Sequence, residues 1–426
     1  MTSQQRVVRV RRQYNKWVAN QTLEDYALRF TALSARKWSS FRVANTAIGA
    51  ISFLALEAIG GTITLQYGFS NAALAIAVVG MLIFLTSVPI SYYAAKYGVD
   101  IDLLTRGAGF GYIGSTITSL IYASFTFIFF ALEAAIMSLA LEMCFGVPLS
   151  IGYLISALIV IPLVTHGITF ISRFQLWTQP FWIVLHLLPF LFIGANGIAS
   201  IDDWTRYAGR SGPTDGAFNI LVFGAAAAVV FSLVAQIGEQ VDFLRFLPRQ
   251  SKGRRLQWWA SLLAAGPGWI VLGAIKLFAG SFLAYFALSG GVPAEHAAEP
   301  TQMYLIAFQQ MVSSPEIALG LMGVFVVLSQ IKINVTNAYA GSIAWSNFFS
   351  RLTHSHPGRV VWLVFNVAIA LVLMEMGIFQ ALEHILGLYA NIAVAWVGAI
   401  VADLVINKPL GLSPPHIEFK RAHLYD

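Results

Sequence analysis

Ten apolar runs, each near or above the roughly 20 residues that a helix needs to cross a bilayer, leave this chain little freedom of architecture. They fall at about 44–66, 71–94, 112–143, 149–168, 174–195, 216–241, 259–287, 315–346, 358–376 and 380–404. The chain is 58% hydrophobic and only 11% charged, far from soluble usage, so the fold class read here is all-α integral membrane. A basic arm, 1–43, precedes the helical region 44–404. A polar tail, 405–426, follows it. The arm is polar for some forty residues and has no signal-peptide pattern. Within it Thr22-Leu-Glu-Asp25 reads as a capping box opening a short helix through Phe30.

The loops give an independent reading of topology. With the arm inside, the inner segments hold 22 Lys and Arg and the outer ones only Arg206 and Arg210. That asymmetry places both termini in the cytoplasm and the protein in the cell (inner) membrane, and it accounts for the +6 net charge without invoking nucleic acid. Ten spans divide as five plus five, 44–195 and 216–404, the second half starting in the opposite orientation. Each half opens with a glycine-interrupted span, at Gly60-Gly61 and at Gly238. Broken helices in matching places point to a midplane binding site between inverted repeats.

The eighth span is the polar one. After Ile317–Leu328 it carries Ser329, Gln330, Lys332, Asn334, Thr336 and Asn337 within nine residues. A charged residue at that depth costs a few kcal/mol, so this face belongs against a cavity or a partner helix. Enzyme chemistry has no foothold: there is no nucleophile–base pair and no phosphate loop. The single Cys144 and the scattered His and acids give no metal-ligand spacing. Gly107-x-Gly109-x-Gly111 lacks the strand and spacing of a nucleotide loop. No cofactor is implied.

Five stretches resemble the nucleobase:cation symporter-1 family of purine, cytosine and hydantoin permeases. They are Asp25-Tyr-Ala-Leu-Arg29 with Arg36-Lys-Trp38, Thr105-Arg-Gly-Ala-Gly-Phe-Gly111, Asp242-Phe-Leu-Arg-Phe246, Asn334–Ser342 with Asn337-Ala-Tyr339, and Asp403 ending the tenth span. The resemblance implies a LeuT-type five-plus-five inverted repeat. It also implies alternating access for a small nucleobase-like heterocycle bound between spans 1, 3, 6 and 8. Family members usually add two helices beyond the point where this chain stops. The same module also serves as the ligand-sensing input of larger histidine kinases, so C-terminal signalling domains are the alternative expectation.

Carried over by motif, Phe129 falls on a stacking aromatic and Glu133 on a helix 3 amide that bonds substrate. The two share a face at i, i+4. Asn334 matches the helix 8 asparagine, with Ala338 where a second one stands and Asn337 beside it. On span 6 the second aromatic becomes Leu233, leaving Ser232 and Gln236 as polar candidates. The two hydroxyls that ligate sodium in coupled members become Lys332 and Ile333, so no sodium is expected there. Lys332 could put its own charge in that place, donating to helix 1 carbonyls. Glu57 is the expected counter-charge, also counted among the substrate-site residues, with Glu133 second. A titrating Lys332 would make transport proton-coupled; a permanent ion pair tying helices 1 and 8 is the alternative. Lys276 could pair with a carboxylate or reach outward. Asp242 and Arg245 are expected to form a cytoplasmic gate or an ordinary local pair.

Overall fold

The computed structural model describes residues 29–195, 201–353 and 357–417, with Lys252 through its backbone only. The structure is helical throughout these residues, with one isolated bridge between Phe30 and Val99. The capping-box segment lies outside the described residues. Its expected end at Phe30 does not hold, because the chain there is extended: Thr31 N donates to Gly98 O at 2.7 Å and Asp100 N to Arg29 O at 2.8 Å.

The first half runs α1 (Ser40–Gly49), α2 (Ala55–Tyr67), α3 (Phe69–Tyr97), the short α4 (Ile101–Thr105), α5 (Gly111–Phe145), α6 (Leu149–Leu158), α7 (Val160–Thr165) and α8 (Gly167–Ala195). After the short α9 (Ile201–Thr205) come α10 (Ile220–Phe231), α11 (Ile237–Leu244), α12 (Arg255–Ala265), α13 (Trp269–Ser289) and α14 (Pro300–Gln309). The chain closes with α15 (Pro315–Leu352), α16 (Arg359–Glu375) and α17 (Leu382–Ala402). Starts are capped where a polar residue can take the orphan N–H groups: Ser39 accepts from Arg42 N, and Asn219 from Leu221 N and Val222 N.

Among the described residues seven helical runs are long and apolar enough to cross a membrane, and α1 with α2, bent by 47°, make an eighth when counted as one span. Leu149–Thr165 is shorter, as is α16 with 17 residues. This is a multi-pass membrane protein. The helix α14 was not foreseen, because ten residues carrying Thr301, Gln302 and Tyr304 do not form a span.

Both breaks occur, but not at the expected glycines. The first lies at Ala50–Leu54, where Ile51 leaves helical geometry and Phe53 is extended; the second is a tight 3-10 turn over Ser232–Gln236. Gly60 instead serves packing. A Cβ there would lie 1.9 Å from Leu277 O, and one on Gly280 would lie 2.1 Å from Glu57 O. The two bare glycines let α2 and α13 meet backbone to backbone. Gly238 sits inside α11 against the Tyr122 ring.

At the centre stands α15, packed chiefly on α5 and also on α8, α11 and α16. From Ser329 to Asn347 every residue but Ile331 is buried. A helix surrounded on all sides in this way is a core element, not a lipid-facing one.

Candidate functional site

The first break exposes the N–H groups that start α2, and Glu133 of α5 takes two of them. Leu54 N donates to Oε2 and Ala55 N to Oε1, each at 3.1 Å. A carboxylate at a helix N-terminus is further favoured by the aligned peptide dipoles. Both oxygens of Glu133 are thus committed to the backbone, and the N–H-accepting role expected of it is already filled from within the chain. Nearby, Ser52 Oγ donates to Ser329 O at 3.0 Å, and Trp182 Nε1 to Ser329 Oγ at 2.9 Å.

Glu57, one turn into α2, is fully buried and does not meet Lys332. Its Oε1 accepts from Lys276 Nζ at 2.8 Å and from the Tyr304 hydroxyl at 3.1 Å. His186 Nδ1 lies 3.1 Å from that hydroxyl and 3.9 Å from the carboxylate. Lys276 stands 5.2 Å over the Trp182 ring, itself stacked on His186. The correction has a plain cause. The close approach at Gly60 and Gly280 sets α13, and with it Lys276, beside Glu57. Sequence reading noted Lys276 as a buried cation but had no means to choose its partner.

Lys332 is equally buried, but its hydrogen-bond partners are neutral. Nζ donates to Gln175 Oε1 at 2.6 Å and to Thr178 Oγ1 at 3.0 Å, both on α8; Gln175 Nε2 returns to Lys332 O at 2.7 Å. The expected bonds to helix 1 carbonyls give way to these side-chain oxygens, because residue 332 projects toward α8. The ammonium is therefore held as a small cation would be, by uncharged oxygens.

Phe129 packs in an aromatic group with Phe125 at 4.5 Å between centroids and, edge-on, Phe53 at 6.3 Å. On the second break, Ser232 Oγ donates to Val229 O at 2.7 Å, while Gln236 Nε2 donates to Glu239 Oε2 at 2.9 Å. Leu233 is buried. On α15, Asn337 Nδ2 donates to Asn334 Oδ1 at 3.3 Å, leaving Asn334 Nδ2 and Asn337 Oδ1 without partners.

Asp242 and Arg245 do pair, at 3.4 Å, with the Tyr122 hydroxyl donating to Asp242 at 3.4 Å and Arg245 donating to the Tyr339 hydroxyl at 3.3 Å. They border a larger network that sequence reading missed. Arg351 donates to Asp102 and, at 3.2 Å, to Ser119, while Ser119 donates to Asp102 at 2.6 Å; Arg106 lies 3.6 Å from Asp102 and Asn347 donates to Asp100 at 3.2 Å. Asp100, Asp102, Ser119 and Asn347 line a small cavity together with Tyr122, Asp242 and Trp396. At the opposite end of the bundle the Tyr67 hydroxyl donates to Glu383, joining α2 to α17. Arg106, Arg351 and Arg359 are among the 22 Lys and Arg counted to the inner segments. Arg351 and Arg359 are buried, Arg359 donating to Val164 O at 3.0 Å with its guanidinium over the Tyr339 ring. Asp403 lies just past α17 and pairs with Lys408 at 3.3 Å. Among the described residues no three His, Cys, Asp or Glu group as metal ligands would.

No family model matches this sequence, and no curated protein does. Solved structures match over nearly its whole length. Mhp1, a nucleobase-cation-symport-1 family transporter in a closed conformation with bromovinylhydantoin bound, superimposes with a TM-score of 0.68 at 19% identity, covering 90% of this chain and 81% of that one. A Na+-coupled sialic acid symporter gives 0.58 at 13% identity over 92% and 83% of the two chains. A manganese transporter from Eremococcus coleocola gives 0.56 at 13% over 85% and 78%. The chain thus has the LeuT-type fold of Mhp1.

Proposed function

We propose that this protein is a secondary transporter that moves a small nucleobase-like heterocycle by alternating access, without sodium. The fold it shares with Mhp1 supports the transport class. The observation that carries the sodium-independent reading is the Lys332 ammonium between α15 and α8, bound by the neutral oxygens of Gln175 and Thr178. It occupies the helix 8 position where the resemblance puts a sodium-ligating hydroxyl, and an ammonium held there repels a second cation.

In this reading the halves 44–195 and 216–404 are inverted repeats, and the end bearing Asp102 and Arg351 faces the cytoplasm. Phe129 supplies an aromatic face for a flat ring, while Asn334, Asn337, Gln236 and Ser232 border the ring edge. The Asp102–Arg351 and Tyr67–Glu383 contacts close opposite ends of the bundle, and alternating access requires that they open in turn.

Uptake of labelled uracil, hypoxanthine and hydantoin into proteoliposomes tests the reading, with sodium replaced by choline and with or without a pH gradient. Accumulation that is indifferent to sodium is expected. Sodium-dependent uptake overturns the tethered-cation reading. Ligand binding with no uptake under any gradient overturns transport and favours a sensing module.

A further inference from the structure

We propose that the end of α3 and the start of α12 form a binding site for an anionic phospholipid. The headgroup phosphate sits on Lys96 and Arg255, and the acyl chains run along the apolar faces of the two helices. The place is fixed by aromatic rings. Tyr92 and Trp259 are stacked, with 5.7 Å between centroids and 7° between planes, and Trp258 meets both edge-on at 6.3 and 5.3 Å. Lys96 stands one turn after Tyr92 on α3, and Arg255 one turn before Trp259 on α12. Residues four apart share a helix face, so both charges lie on the same side of the stack, toward the same end of the bundle. Lys96 Nζ is 5.6, 5.8 and 5.4 Å from the ring centroids of Tyr92, Tyr93 and Tyr97.

No acidic group answers this charge. Lys96, Arg249, Arg254 and Arg255 are exposed, and among the described residues none of them pairs with a carboxylate. Neither α3 nor the stretch 243–294 contains an Asp or Glu. Asp100 and Asp102, which follow α3, are buried against Asn347 and Arg351. An exposed patch of one sign attracts a ligand of the other, and guanidinium groups suit phosphate. The surface beside the charges selects a lipid over a soluble anion. Met81 and Leu85 continue the Tyr92 face back along α3, and Leu263 continues the Trp259 face along α12. All three are exposed, at 64, 57 and 37%. Tyr and Trp gather where the membrane meets water, and basic residues at that level attract anionic headgroups. A phosphate held by Lys96 and Arg255 would lay its acyl chains on these apolar residues, which a free phosphate would leave uncovered.

The probes are dioleoylphosphatidylglycerol, dioleoylphosphatidylcholine and soluble sn-glycerol 3-phosphate, titrated into the purified full chain in mild detergent and read by native mass spectrometry. Wild type should bind phosphatidylglycerol in preference to phosphatidylcholine, and excess glycerol phosphate should not displace it. Lys96→Gln with Arg255→Gln should weaken phosphatidylglycerol binding roughly 10- to 30-fold, the combined worth of two basic residues near an anionic surface. Arg206→Gln with Arg210→Gln removes the same charge elsewhere on the chain and should leave that affinity unchanged. Melting temperatures in phosphatidylcholine would show both double variants folded. Unchanged affinity in the Lys96/Arg255 variant, or an equal loss in the Arg206/Arg210 variant, overturns the site. In wild type alone, equal binding of the two lipids overturns it too, and displacement by glycerol phosphate makes it a site for soluble anions instead.

Discussion

Lys332 and Gln175 bond to each other twice: the ammonium donates to the Gln175 amide oxygen at 2.6 Å, and the amide nitrogen donates to the Lys332 carbonyl at 2.7 Å. The two hydrogen bonds fix α15 to α8 at the depth where the polar residues of α15 begin. They also hold a charge whose hydrogen-bond partners carry none, and buried charge without an opposite partner is expensive.

Removing that charge should therefore separate stability from activity. Lys332→Met is expected to melt at or above the wild-type temperature while losing uptake, since a functional site commonly holds strain that an apolar side chain relieves. A variant that melts several degrees lower with transport intact would assign Lys332 a purely structural role.

Glu133→Gln keeps the shape but offers one acceptor where two N–H groups wait. We expect a loss of roughly 1.5–3 kcal/mol, the range for hydrogen bonds to charged groups, visible as a lower melting temperature in detergent. Unaltered stability would mean that the cap at Leu54 and Ala55 contributes little to α2.

The Glu57–Lys276 pair lends itself to a double-mutant cycle. Glu57→Leu or Lys276→Met alone leaves one buried charge unpaired and should cost about 3–5 kcal/mol, whereas the double variant should recover most of it. Additive losses would show that the two side chains act through separate partners, such as Tyr304 for Glu57 and Trp182 for Lys276.

Arg351→Ala should loosen the end of the bundle sealed at Asp102. In a Cys144→Ser background, a cysteine placed at position 119 should react faster with a water-soluble maleimide once Arg351 is gone. An unchanged labelling rate would show that the Asp102 network does not limit access there.

Much of the fold was legible in the residues. Runs of some twenty apolar residues mark spans because bilayer thickness fixes helix length, so the order of the long helices follows from hydropathy alone. The existence of two broken helices was legible too, but not their location. Gly60 and Gly238 look like breaks from sequence because glycine weakens a helix. The structure uses them for close packing and places the breaks at Ala50–Leu54, where Glu133 takes N–H groups freed from the helix, and at Ser232–Gln236. The short α14 was invisible because a helix of ten residues has no membrane-length signal.

The candidate site divides the same way. The polar cluster on α15, the buried Glu133 and Glu57, and the replacement of hydroxyls by Lys332 and Ile333 are all written in the chain, because intramembrane polar residues stand out against an apolar background. Their pairing is not. Lys276 meets Glu57, Lys332 meets Gln175, Glu133 meets backbone, and Glu239 keeps one oxygen uncommitted. Each outcome depends on which helix faces are brought together across 78 to 219 residues of chain. By itself the sequence determined that this is a helical membrane protein with a polar core. Only the tertiary structure decided which charges cancel and which polar groups meet, since partner choice is set by helix packing and not by residue type.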